Sequence, residues 1–125
     1  MTERSPTGLD AATHRKLMLV LAYLGPLALV PLLTDPRDAD LRWHAKHGLI
    51  LAGVELAALT LGMMVVETLA LVTAGLFGCL FLLVSPAVLL GLLVLIGAVH
   101  ALGMVRALNG ERLLIPGISE YASKF

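Results

Sequence analysis

Apolar residues in this chain come in blocks rather than in stripes. A polar lead over 1–13 gives way to an apolar block around 17–33, and a charged and aromatic stretch, 35–48, leads into a second block that ends at Glu67. Beyond Glu67 no charged residue appears until Arg106. Blocks that are apolar on every side and approach or exceed roughly 20 residues suit membrane-spanning helices better than one-sided surface helices. The pattern predicts helices over about 14–33, 36–66, 68–84 and 86–108. The uncharged run is too long for one span and about right for two, with Ser85 as a cap and Pro86 at a first helical position. Asn109-Gly110 is expected to stop the last helix. In the first helix, Pro26 and Pro31 each remove a backbone donor and free a carbonyl one turn earlier, at Ala22 and Leu27, so that face should point inward. The expected fold is all-α, an integral membrane bundle of four transmembrane helices over 14–108 with an interfacial extension at the start of the second. A mobile polar tail over 1–13 and a short interfacial or cytoplasmic tail over 109–125 flank it.

Composition sharpens the class. Of 125 residues, 58% are hydrophobic and 14% charged, with a mean hydropathy of +0.92, far above a soluble domain. Formal net charge is zero, so no overall field argues for nucleic acid. The single Cys79 excludes an intrachain disulfide. With four spans, the two tails carry Arg4, Arg15, Lys16, Arg106, Arg112 and Lys124 on one side, against Arg37, Arg42 and Lys46 in the first loop. That bias predicts a multi-pass protein with both termini in the cytoplasm and 35–46 facing the other way.

The stretch 35–48 holds three Asp, two Arg, one Lys, two His and a Trp between apolar blocks, a composition that belongs at a water–lipid boundary. Asp35 followed by Pro36 reads as the helix start. Arg42, Trp43, His44, Lys46 and His47 are candidates for contact with lipid headgroups or an acidic partner. His44 and His47 alone lack a third ligand, so no metal is expected. Glu55, Tyr23 and His100 are the candidate intramembrane polar residues. Glu55 must be neutral, paired or facing a wet cavity, and at matching depth Tyr23 could hydrogen-bond His100. Glu67 is placed to pair with Arg106 or Lys16. Small residues at four-residue spacing, such as Ala58 and Gly62 or Gly97 and Ala101, permit close helix approach. No phosphate loop, nucleophile elbow, HExxH, CxxC or catalytic carboxylate pair is present, so neither an enzyme nor a cofactor is expected.

Three segments, LAYLGPL at 21–27, LRWHAKHG at 41–48 and ALNGERLLIPGIS at 107–119, resemble the Tic-twenty-like family of small polytopic membrane proteins. That family includes the plastid inner-envelope import component and magnetosome proteins of the MamF type. Where the family usually has His-Ala, a basic residue and Gln, this chain has His44-Ala45-Lys46-His47. The resemblance implies a non-catalytic assembly, translocation or accessory subunit in a bacterial cytoplasmic membrane, or an internal membrane derived from it. Its expected partners are membrane lipids and other integral membrane proteins or a second copy. Glu55 leaves an alternative open, a conductor of protons or small cations.

Overall fold

In hydrocarbon a helix is the one open structure that satisfies its own backbone, and the computed structural model, which describes residues 10–73 and 76–124, is all-α. Among the described residues the helices are α1 (Ala11–Leu21), α2 (Leu29–Thr34), α3 (Ala39–Val72), α4 (Leu76–Leu108) and α5 (Ile118–Lys124), with a 3₁₀ turn at Gly25–Ala28. Most of the polar lead lies outside the described residues, but from Ala11 the chain is already helical. The chain divides into two units, Met1–Gly53 with His100–Phe125, and Val54–Val99.

The expected four-span bundle does not form. Among the described residues two helices, α3 and α4, are long and apolar enough to cross a membrane. The first expected span, read as one helix over 14–33, breaks ahead of Pro26, while Pro31 lies inside α2. α1 stops at Leu21, Gly25 takes a left-handed φ of +60° that a side chain would resist, and Pro26 opens the 3₁₀ turn. At the break, Tyr23 N–H donates to Val20 O (3.1 Å) and Leu24 N–H to Leu21 O (3.1 Å). The chain then turns back: α2 packs along α1, the Thr34 hydroxyl reaches Met18 Sδ (3.9 Å), and His14 Nδ1 lies 3.6 Å from Asp35. Both ends of 14–35 therefore meet at one place.

The second and third expected spans fuse in part, because α3 runs through Glu67 to Val72. The hydroxyls of Thr60, Thr68 and Thr73 donate to the carbonyls four residues earlier (2.8, 2.7 and 2.6 Å), so none of these polar groups forces a break. Nor does Ser85-Pro86 start a new helix; Pro86 lies inside α4. A break there would orphan up to about eight backbone groups, whereas the proline removes one donor. In the unit Val54–Val99, Val66 and Ala70 share one apolar groove with Phe81 and Leu82, and Leu59 shares another with Leu89 and Leu93. α3 and α4 thus run antiparallel there.

In the other unit, Leu19, Ala22 and Tyr23 from α1 and the turn after it pack with Leu41 and Ala45 of α3 and Ala107 of α4. Two glycines make this possible. A Cβ on Gly48 would collide with the carbonyl of Ala22, the group Pro26 leaves without a helical donor, and one on Gly103 would meet the Tyr23 ring at 2.5 Å. α4 ends in a Schellman motif: Gly110 is at φ +75°, its N–H bonds Ala107 O (3.1 Å), and Glu111 N–H bonds Arg106 O (2.8 Å).

Candidate functional site

The site starts with the cap of α3. Asp38, not Asp35, starts the helix: its Oδ1 accepts from the backbone N–H of Leu41 (2.9 Å) and Asp40 (3.1 Å). Capping at Asp38 fixes the helical register. Leu41, Ala45 and Gly48 then turn toward α1, while Asp40, His44 and His47 fall on an adjoining face. The open face is left to Arg42, Lys46 and Leu49, each half-buried.

Arg15 and Arg112 tie three segments together. The Arg15 guanidinium donates from Nε to Asp38 Oδ2 (2.8 Å) and from Nη2 to Asp40 Oδ2 (3.2 Å). Arg112, from the tail after α4, donates through Nε (3.3 Å) and Nη2 (3.2 Å) to the other oxygen of Asp40. One carboxylate therefore links α1, α3 and the tail. Partial burial pushes the Asp38 carboxyl up, but the Leu41 N–H, the Arg15 guanidinium and the Asp40 N–H outweigh it and hold it below the usual carboxylate range. The hydrogen bond to Asp38 in turn raises Arg15.

Beneath this clasp lies a buried aromatic layer. Tyr23 and His44 have no exposed surface, and the Tyr23 hydroxyl lies 2.9 Å from His44 Nδ1. Asp40 Oδ2 lies 3.9 Å from His44 Nε2; with the ring hydrogen on Nε2, toward that carboxylate, Nδ1 accepts from the Tyr23 hydroxyl. Trp43 stacks on His47 (centroids 5.0 Å, planes 14° apart), meets His44 edge-on at 5.1 Å, and carries the Arg112 guanidinium 4.8 Å above its ring. Ser119 of α5 places its hydroxyl 3.3 Å from His47 Nε2 while accepting from Ile115 N–H (2.7 Å).

Of the residues singled out from the sequence, Trp43, His44, His47 and Tyr23 come together here, inside the protein. Arg42 reaches only the Pro36 carbonyl, at 3.4 Å, and no carboxylate among the described residues pairs with Lys46. Tyr23 bonds His44 and not His100. Glu55 and His100 are each half-buried and engaged. Glu67 is exposed near the C-terminal end of α3, whereas Arg106 stands in the last turn of α4. No group of three metal-ligating side chains occurs among the described residues. Sequence reasoning missed Arg15, Asp38, Asp40, Arg112 and Ser119 as members of the site. A signal existed only for Asp38 and Asp40: an acid two residues ahead of a helical acid whose i+4 neighbour is His44.

Chemically, the arrangement is a clasp. Its carboxylates are occupied by guanidinium groups, and His44 cannot meet a solute unless the unit opens. No family model, curated protein or solved structure matches the chain.

Proposed function

We propose that this chain is a non-catalytic membrane protein that acts as an assembly, translocation or accessory subunit within a larger membrane complex. The observation that carries this reading is the openness of its two long helices. Within the most apolar windows of α3 and α4, 6% and 0% of residues are buried. Helices buried inside a soluble core would be covered. These faces meet lipid or the helices of a neighbour.

Length supports the same reading. From Leu76 to the residue before Arg106, α4 carries no charge for about 45 Å at about 1.5 Å per residue, against roughly 30 Å of hydrocarbon. Tilt, or packing against a partner, absorbs such an excess. The Tic-twenty-like resemblance at 21–27, 41–48 and 107–119 agrees with a subunit role. All nine Lys and Arg lie at or before Lys46 or at or after Arg106, so a two-span crossing keeps every one of them on one side. That side is the cytoplasm of a bacterial inner membrane, or of a membrane derived from it.

The test is purification of the tagged protein from its native membrane in mild detergent, with identification of what accompanies it. A defined integral membrane protein in fixed ratio supports the proposal. The conductor reading rests on Glu55, half-buried in an otherwise apolar stretch of α3. Proton flux in vesicles that vanishes in a well-folded Glu55→Gln variant, from a chain that purifies alone, would replace the subunit reading.

A further inference from the structure

The segment 14–35 is as apolar as a span but begins and ends at the same place. His14 and Arg15 at its start are held to Asp35, Asp38 and Asp40 at and beyond its end, by contacts of 3.6, 2.8 and 3.2 Å. All the ionised groups of the segment and its clasp gather at that end. Between those charged ends, six large apolar side chains stand exposed: Leu17, Leu24, Leu27, Leu29, Val30 and Leu33. In water, such a band would be an aggregation liability.

Packing within the unit fixes how deep this band reaches. The turn of the hairpin touches α3 at Gly48, through Ala22, and α4 at Gly103, through Tyr23. Gly48 lies eight residues beyond Asp40 along α3, about 12 Å at about 1.5 Å per residue, which is less than half of the roughly 30 Å hydrocarbon. Backbone at the turn meets the condition for non-helical chain at that depth. The N–H groups of Tyr23, Leu24 and Leu27 are paired in the 3₁₀ pattern with the carbonyls of Val20, Leu21 and Leu24, and the inner side (Ala22, Tyr23, Ala28) is buried in protein.

We infer that 14–35 is a re-entrant hairpin seated in a single leaflet, its exposed apolar face covered by phospholipid acyl chains and its ionic clasp at the headgroups. The occupant is lipid because the face has the polarity profile of a leaflet: charged at one end, apolar for about 12 Å, and closed off before the midplane. The inner side of the hairpin packs, through Ala22 and Tyr23, on Gly48 of α3 and Gly103 of α4, the two helices among the described residues that are long and apolar enough to cross a membrane.

Site-directed nitroxide scanning tests this in vesicles of phosphatidylethanolamine and phosphatidylglycerol. In a Cys79→Ser background, single labels at Leu27→Cys, Leu33→Cys and Arg37→Cys are compared for collision with oxygen, which partitions into lipid, and with a water-soluble nickel chelate. The oxygen-to-chelate ratio should be several-fold higher at 27 than at 37, with 33 between them. Leu24→Cys supplies a second tip site if the label at 27 hinders insertion. Equal ratios at 27 and 37 would put the face in water and sink the idea. Low collision with both reagents, together with dipolar broadening between copies, would assign the face to a second copy instead. Labelling of Ala12→Cys and Arg37→Cys from opposite sides by an impermeant maleimide would make the segment a full span and equally overturn the inference.

Discussion

Asp38 does two things with one carboxylate, and the two can be separated by substitution. Asp38→Ala removes the cap of α3 and should cost about 0.5–2 kcal/mol, whereas Asp38→Asn keeps an acceptor for the Leu41 and Asp40 N–H groups and gives up mainly the charge that meets Arg15. Melting in detergent should rank wild type above Asn and Asn above Ala. Because folding lowers the affinity of Asp38 for its proton, its contribution is fully present above the unfolded carboxylate range, near about pH 4, and fades as the pH falls through the lower folded value. Acid titration of the melting temperature should therefore be flatter in Asp38→Asn; a parallel curve would mean that the Arg15 pair contributes nothing. At Tyr23, removal of the hydroxyl leaves His44 Nδ1 buried without its donor, and Tyr23→Phe should cost about 1–3 kcal/mol in the same melt. Gly48→Ala drives a methyl into the Ala22 carbonyl, where backbone rather than a side chain must move, and should cost about 1–3 kcal/mol or more.

At the scale of elements, α4 gives the sharpest contrast between its sequence and its structure. Ser85-Pro86 reads as a helix start, yet Pro86 sits inside a helix of 33 residues. Cysteines placed at Val84 and Ala87 should resist an impermeant maleimide from both sides of the membrane. Rapid labelling at either would restore a turn there. Hydropathy revealed the helical class, the apolar blocks and the importance of 35–48, and the Asn109-Gly110 stop could be read from turn chemistry alone. It did not reveal connectivity. A long uncharged run divides by length into two spans as readily as it feeds the end of one helix and the whole of the next, and no charge marks the bend near Thr73. The break in the first block was half legible in Pro26 and Pro31. Its direction was not, because that depends on Arg15 finding Asp38 and Asp40, a pairing across more than twenty residues that no local pattern announces. Ser119 is further still from His47 along the chain, and only the folded tail brings it there.

For the whole molecule, the proposed crossing by two helices rather than four changes which surfaces share a compartment. Cysteines at Thr13 and Glu120 should label from the same side of sealed membranes and one at Thr73 from the other, while the four-span arrangement would instead set 35–46 apart from both tails. The ionic clasp also imposes an order on manufacture. A ribosome releases His14 and Arg15 before Asp35, Asp38 and Asp40, and Arg112 last of these, so the apolar block 17–33 emerges ahead of the side chains that pull its far end back. At that moment it has the length and polarity of an ordinary transmembrane anchor. A reporter fused after Thr34 should accordingly be delivered across the membrane, and the same reporter fused after Glu120 should stay on the side of α1. The first helix of this protein is thus held in its final orientation by residues that leave the ribosome only after it has.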